Sequence, residues 1–477
     1  MSQQSPATPY ARRYSILAVV MLSGIMGPID ASIVNVTLPT ITEFFKVSIS
    51  TAQWVSMIYL LIISSLLLSY GRLGDIWGYR KVYLLGVAGF TAASGLCGLA
   101  PTVEALILFR AFQGLAAGMM MAVPFAIITA SFPPTERGKA IGINAVSVSV
   151  GLAMGPSLGG FIASLLGWRY VFLINIPIGI AGFLWAYRVI PELKGQAGKM
   201  DLLGAMTAFI ALASFLLFVN RVQVSGLNLA TGLMLLIAVL AGLGFYRAER
   251  GNSQPMLDLS ILSQVTFSFA SLSTLFNFMS QYVLVFLTPF YLQRVLLYPP
   301  SKVGLVMTAF PLATMAVAPF SGTLSDRIGT KVLTAVGALL CALAAFFLSR
   351  LQSSAGWPDV VWRLALFGVG TGIFQSPNSS AVMGSAPKRH FGVASAILAT
   401  MRNLGMVLGI ATAGAMLYAF APARILRQGA LQPADAIAFL HGLGYAYIVG
   451  AIWGGVSAGT SLITSKEGQG SDALPGR

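Results

Sequence analysis

Asp30 and Arg110 are the residues of this chain whose chemistry first demands an explanation. Each stands inside a long apolar run: Tyr14 to Pro39, which reads YSILAVVMLSGIMGPIDASIVNVTLP, and the run near 105–130. Roughly 20 apolar residues cross the hydrocarbon core of a bilayer. A charged side chain within it costs about 3 kcal/mol or more on insertion scales, so such residues usually have a function. Asp30 lies nine residues before Pro39, and Arg110 lies six residues after Glu104. If the two runs are antiparallel helices, a rise of 1.5 Å per residue puts both groups about 9–13 Å below the same face. A direct or water-mediated pair is therefore expected. A guanidinium favours the ionised form of a nearby carboxylate, whereas burial favours the neutral form. A carboxylate held between these effects can take or release a proton as a cavity opens to one side and then the other. The alternative is a permanent ion pair that only fixes helix packing. No other Asp or Glu lies well inside an apolar run, which leaves Asp30 as the candidate proton carrier, modulated by Arg110.

Other polar residues fall in or at the ends of apolar runs: Asn35, Tyr59, Gln113, Asn277, Gln281, Gln375 and Asn378. Intramembrane polar groups usually face the interior of a helix bundle, so these are candidates for a substrate cavity or for bridges between helices. Arg402 sits midway along its run with no acid nearby in sequence. It either neutralises an anionic group of a substrate or hydrogen-bonds backbone carbonyls around Gly405 and Gly409.

The elements that must position these groups follow from composition. Of 477 residues, 56% are hydrophobic and 9% charged, with mean hydropathy +0.81. A soluble domain carries about 25% charged residues, so the chain reads as an all-α polytopic membrane protein. Apolar runs near 14–38, 52–71, 82–100, 105–130, 140–165, 169–190, 202–222, 228–247, 265–293, 303–323, 331–349, 361–385, 392–420 and 437–463 predict fourteen helices. The first run is too long for a cleavable leader and reads as a span. With the N-terminus in the cytoplasm, eighteen Lys and Arg fall on that side and nine on the other. This bias predicts both termini inside and an even number of spans. The net charge of +15 is scattered between the runs and forms no nucleic-acid-binding stripe. Cys97 and Cys341 have neither disulfide nor metal spacing.

An internal repeat organises the spans. GRLGDIWGYRK, Gly71 to Lys81, leads out of the second run, and GTLSDRIGTK, Gly322 to Lys331, leads out of the tenth. If the seventh and eighth runs are an insertion, twelve helices remain as two sixes with this loop at the same place in each. Two six-helix halves with a site between them at mid-membrane are a common build for secondary transporters. The expected organisation is residues 1–190 as a first six-helix bundle and 191–255 as a linker with two additional helices. Residues 256–464 form a second six-helix bundle, and 465–477 a cytoplasmic tail.

These loops resemble the signature of the major facilitator superfamily through Gly71, Leu73, Asp75, Gly78, Arg80 and Lys81. LILFRAFQGLAAG resembles the family's fourth-helix motif through Arg110, Gln113, Gly114 and Gly118. GLAMGPSLGG resembles its antiporter motif through Gly151, Gly155, Pro156, Gly159 and Gly160. IDASIVNVTLP and WRYVFLINIPIG resemble motifs of the fourteen-helix drug:proton antiporters, the EmrB/QacA type. The second copy of the loop motif is one residue shorter between Asp326 and Lys331. The resemblance implies a latch between the halves, built from Gly71, Asp75, Gly78, Arg80, Lys81, Asp326 and Lys331. It also implies exchange of lipophilic or amphipathic drugs, cationic or neutral, for protons by alternating access.

The sequence shows no P-loop and no nucleophile elbow, so neither an ATP-driven pump nor an enzyme is expected. No cofactor is expected beyond a proton gradient, and the expected partners are a lipophilic small molecule, protons and membrane lipids. A periplasmic adaptor is left open. The alternatives are an exporter of a specific lipid or metabolite on the same scaffold, or a membrane sensor that transports nothing.

Overall fold

The computed structural model describes residues 12–133, 135–192, 202–251, 261, 263–386, 391–422, 425–427, 431 and 433–463. Every regular element among them is helical. A first group comprises α1 (Arg13–Phe45), α2 (Ile49–Trp77), α3 (Tyr79–Gly98), α4 (Val103–Ala122), α5 (Pro124–Ser131), α6 (Arg137–Leu165), α7 (Tyr170–Leu173) and α8 (Asn175–Val189). Then come α9 (Leu202–Ser225) and α10 (Leu229–Gly251), which pack on each other. A second group comprises α11 (Val265–Arg294), α12 (Pro300–Met307), α13 (Ala309–Ile328), α14 (Thr330–Leu348), α15 (Trp357–Ser385), α16 (Phe391–Phe420) and α17 (Pro433–Ile463). Among the described residues, eleven helices are long and apolar enough to cross a membrane by length and composition. Three of the fourteen expected runs are not in that set. The apolar stretches Val150–Leu165 in α6 and Leu203–Val219 in α9 are shorter. The third, α15, is 29 residues long and carries Gln375, Ser376, Asn378, Ser379 and Ser380 in its second half. The expected boundary near residue 255 and the 465–477 tail lie outside the described residues.

Local chemistry sets the helix ends. Ser48 and Thr102 cap α2 and α4 by accepting from the backbone N–H of Thr51 and Ala105, each at 3.2 Å. Pro124 opens α5 with no N–H to lose, and Pro177 stands in the first turn of α8, so the fourth and sixth runs break into two pieces. In the repeated loop, Gly78 (φ 90°) joins α2 to α3 and Gly329 (φ 85°) joins α13 to α14. Each stands three residues after its motif Asp, in a conformation that only glycine adopts freely. The repeat in sequence is thus a repeat in backbone.

Tertiary packing relies on glycine faces, because lipid supplies little hydrophobic drive between helices and close van der Waals contact must replace it. A Cβ on Gly151 would meet the Ile25 carbonyl oxygen at 2.7 Å, and one on Gly159 would meet Ile33 Cγ1 at 2.6 Å. At Gly155 it would collide with the Ser32 hydroxyl. These positions seat α6 on α1. Gly405 and Gly409 seat α16 on α11 in the same way, against the carbonyls of Leu275 (2.5 Å) and Met279 (2.6 Å).

The two groups meet closely at the end of the molecule that carries Lys46. There Gly160 faces Gly304, and a Cβ on Gly160 would lie 2.8 Å from the Gly304 Cα. The Ser157 and Thr308 hydroxyls pair across the same contact. Thr40 donates to Gln293 Oε1 (3.3 Å), Gln293 Nε2 donates to the Val36 carbonyl (3.3 Å), and Ser50 donates to the Tyr418 hydroxyl (3.2 Å). Replacing Gly160 by Leu should force α6 and α12 apart, at a cost of about 1–3 kcal/mol for overpacking. A single cysteine introduced at Thr40 should then react faster with maleimide, since the native thiols Cys97 and Cys341 are buried and silent. An unchanged rate would mean that the glycine contact does not hold this end shut.

Candidate functional site

Asp30 is fully buried on α1, between Pro28 and Pro39, and three side chains converge on it. Arg110 Nη1 donates to Asp30 Oδ2 in a short ion pair. Gln113 Nε2 donates to Asp30 Oδ1 at 2.9 Å, and Asn175 Nδ2 donates to the same oxygen at 3.1 Å. Arg110 and Gln113 come from one helix, α4, and their spacing of three places them on one face. They are tied to each other by Arg110 Nη1 donating to Gln113 Oε1 at 2.6 Å. Asn175 is the first residue of α8, and the break after α7 aims it inward.

A further layer fixes these partners. Arg110 Nε donates to the Val55 carbonyl of α2 at 2.9 Å, and Gln113 Nε2 reaches Ser94 Oγ of α3 at 2.8 Å. Cys97 Sγ lies 3.6 Å from Gln113 Oε1. The face of the Tyr59 ring covers the guanidinium, with Arg110 Cζ 4.0 Å from the ring centroid, a cation–π contact. Tyr59 has a second role in the architecture. It also walls a narrow cavity of about 20 Å³ between the two groups, lined by Gly27, Pro28, Ala31, Leu60, Met121 and Arg402 among others. One aromatic ring therefore separates the buried ion pair from the central space.

A second cavity, of about 80 Å³, lies within the second group, lined by Thr274, Phe278, Phe374, Gln375, Asn378, Ser379, Leu398 and Arg402. Spaces of this size hold waters and must widen to admit a small organic ligand. The two cavities share Arg402.

Of the cavity residues expected from sequence, Tyr59, Gln375, Asn378 and Arg402 line these spaces. Asn378 is also bonded inward, donating to Thr274 Oγ1 at 2.6 Å. Asn35, Gln113, Asn277 and Gln281 line neither. Asn35 bridges α1 and α2, accepting from the Ser56 hydroxyl at 2.9 Å. Gln113 serves Asp30. Asn277 is fully buried beside the Cys341 thiol, and Gln281 is buried too. Asn175 and Ser94 were not singled out by the sequence; Asn175 lies in the quoted WRYVFLINIPIG stretch, which was the available signal.

At the opposite end from Lys46, the loop motif is bonded within the first group. Tyr79 Oη donates to Asp75 Oδ1 at 2.5 Å, and Arg72 lies 3.7 Å from Asp75 Oδ2. Arg80 Nη2 donates to the Tyr187 carbonyl at 2.6 Å and pairs with Glu192 at 3.5 Å. Gly71 has open space where a Cβ would stand, Lys81 is exposed and Lys331 is half-buried. The side chain of Asp326 lies outside the described residues.

The family model described as Major Facilitator Superfamily matches residues 20–410. The riboflavin transporter RibZ of Clostridioides difficile (strain 630) is 32% identical over 402 residues, covering 84% of this chain and 87% of that protein. The multidrug resistance protein Stp of Mycobacterium tuberculosis (strain CDC 1551 / Oshkosh) is 33% identical over 402 residues, covering 83% of this chain and 74% of its own. Among solved structures, a bacterial homolog of the human lysosomal transporter Spinster, inward-facing and unoccupied, superposes with a TM-score of 0.65. It is 18% identical and the match covers 95% of this chain and 97% of that one, a likeness of fold.

The geometry makes the ion pair costly to break. Arg110→Leu should destabilise the protein by about 3–5 kcal/mol, because it leaves a buried unpaired carboxylate. Asn175→Leu should cost about 1–3 kcal/mol, the loss of one buried hydrogen bond to a charged group. Asp30→Asn combined with Arg110→Gln should recover part of the first loss. Thermal unfolding in detergent measures all three, and an Arg110→Leu variant as stable as the parent would refute the assignment.

Proposed function

The chain belongs to the Major Facilitator Superfamily, and from that membership we propose that it is a proton-coupled exporter of lipophilic and amphipathic small molecules. The observation that carries the proposal is the Asp30 carboxylate, held by Arg110, Gln113 and Asn175 one ring away from the central cavity. A proton taken by Asp30 removes the charge that holds Arg110 Nη1, and α1 and α4 are then freer to shift. Tyr59 touches both sides of this event: one face lies on the guanidinium and the ring borders the cavity. Filling the cavity and loading the carboxylate thereby act on the same side chain. Relatives named for multidrug or antibiotic efflux, 27–33% identical, support export of drug-like compounds.

In this reading the chain has fourteen spans, with α6, α9 and α15 added to the eleven helices long and apolar enough to cross. Residues 1–190 and 256–464 are the two bundles, and α9 and α10 pack outside them, α9 against α2 and α16. The protein resides in a bacterial cytoplasmic membrane with both termini inside, where the Arg80 end is cytoplasmic and the Lys46 end is the closed outer gate. Asp75 and Arg80, engaged within the first group here, and the exposed Lys81 are the latch parts that swing to the second group when the outer end opens. Gly71, Gly78, Asp326 and Lys331 complete it. The riboflavin transporter among the relatives supports one element of the second reading, specificity for a single metabolite.

Reconstituted vesicles with an imposed proton gradient test the proposal, using a panel of lipophilic dyes of positive, zero and negative charge. The parent should drive at least one dye against its gradient. Asp30→Asn should lose gradient-driven flux and still bind that dye. If Asp30→Asn pumps as well as the parent, the carboxylate is not the coupling site. If the parent moves riboflavin alone, the multidrug reading gives way to the specific one.

A further inference from the structure

We propose that the central site selects an anionic substrate: Arg402 takes a carboxylate, sulfonate or phenolate carried on a lipophilic skeleton. The inference rests on the export reading and specifies the substrate class of its cavity. Its first support is position. Arg402 lies on α16 and is the one residue that lines both cavities. Part of its surface remains accessible.

The second support is the lack of any protein partner. Arg402 makes no hydrogen bond or ion pair with any described residue. The titratable group that its charge meets is the Tyr282 phenol, not a carboxylate. Neither cavity lining contains an Asp or Glu. The carboxylate on the other side of Tyr59 is already committed, since both oxygens of Asp30 are occupied by Arg110, Gln113 and Asn175. Asp30 and Arg110 cancel, which leaves Arg402 as the uncompensated charge of the central region among the described residues.

The bland explanation for Arg402, that it ties down backbone carbonyls around Gly405 and Gly409, does not match the packing. The carbonyls that face those glycines belong to Leu275 and Met279, and they are filled by close helix contact, with no bond from Arg402. An arginine inside an apolar bundle is costly and is usually paired. One held unpaired beside two cavities is completed by a ligand that enters when they widen.

A neighbouring donor agrees in sign. Asn403 is 4% exposed, borders the first cavity, and its Nδ2 has no hydrogen-bond partner among the described residues. Guanidinium and amide N–H together offer donors to one oxyanion, a charge-assisted arrangement. The surrounding walls are apolar, from Leu60, Ile63, Met121, Val148, Leu152 and Met406, and suit the remainder of an amphipathic molecule. A lipophilic cation entering the same space meets a like charge in a medium of low dielectric, which rejects it. The charge preference is thus the reverse of the cationic or neutral one expected from the family resemblance.

An isosteric pair of dyes tests this: fluorescein methyl ester, an anion at pH 7.4, and rhodamine 123, a cation on the same xanthene skeleton. Binding to the full-length protein is read by fluorescence anisotropy, and flux is read in vesicles under a proton gradient. The parent should bind the anionic dye more tightly. Arg402→Gln should weaken that binding by about tenfold to a hundredfold, the loss of a hydrogen bond to a charged group, and leave rhodamine 123 no weaker. Arg402→Lys, which keeps the charge, should retain the preference, and thermal unfolding reports whether each variant is folded. A parent that prefers rhodamine 123 overturns the inference without any variant, as does an Arg402→Gln protein that is folded and binds both dyes as the parent does. Arg402-dependent binding of the anion with no flux under any gradient would remove the export reading and leave the anion site standing.

Discussion

A carboxylate inside a bilayer has no water to share its charge, so the protein must surround it with donors or lose the ionised form. That constraint shapes the first group of helices. Asp30 comes from α1, Arg110 and Gln113 from α4, and Asn175 from α8, while Val55 of α2 and Ser94 of α3 hold those donors in place. Five helices are joined through one side chain. Such convergence requires short distances between helix axes, and small residues provide them. Gly114 lies under the Tyr59 backbone, where a Cβ would meet its carbonyl oxygen at 2.9 Å, and Gly86 lies on Met120, 2.6 Å from its backbone nitrogen. A larger side chain at either place would move donors that the carboxylate needs.

The second group repeats the packing and not the charge. Gly337 meets the Phe374 backbone as Gly86 meets Met120, and Gly409 meets Met279 as Gly151 meets Ile25. The helix that corresponds to α1 is α11, and its buried polar residues Asn277 and Gln281 are neutral. The helix that corresponds to α6 is α16, which carries Arg402 at the cavity. One duplicated frame thus holds a closed ion pair in one half and an open cation in the other. The scaffold repeats because backbone contact has the same steric demand twice.

Much of this was legible in the chain. The apolar runs locate the helices because a bilayer leaves length and hydropathy as dominant signals. The Asp30–Arg110 pair followed from depth alone, since a helix converts residue count into distance. The glycine positions were legible because a spacing of four repeats on one face. The breaks between α4 and α5, α7 and α8, and α12 and α13 were not, although Pro124 and Pro177 mark two of them: hydropathy averages across a kink. Neutral polar residues were the least legible. Gln113 belongs to the ion pair, Asn35 to a helix bridge and Gln375 to a cavity wall, and nothing in residue type separates these fates. Which side of a helix faces a cavity is decided by how two bundles meet, and that is a property of neighbours far away in sequence.

If the chain exchanges an anionic substrate for protons as proposed, its two charge sites constrain how that exchange can work. A negative charge brought near a carboxylate favours its neutral form, so an anion at Arg402 and a proton on Asp30 attract one another across Tyr59. Coulomb forces alone would load both together, which is the wrong sense for exchange. Opposed movement therefore has to be enforced by shape, and Tyr59 is the group placed to do it. Its ring is stacked on Arg110 while the pair is closed, its hydroxyl lies 3.5 Å from the Gly27 carbonyl, and it is almost fully buried. On the proposed proton-coupled reading, a substrate that fills the cavity would press the ring onto the guanidinium and hold the ion pair shut, which would exclude the proton. An empty cavity lets the ring move, and the carboxylate can then be reached. In this scheme sterics oppose electrostatics at one side chain, and the tightness of coupling depends on how completely the substrate fills the space beside Tyr59.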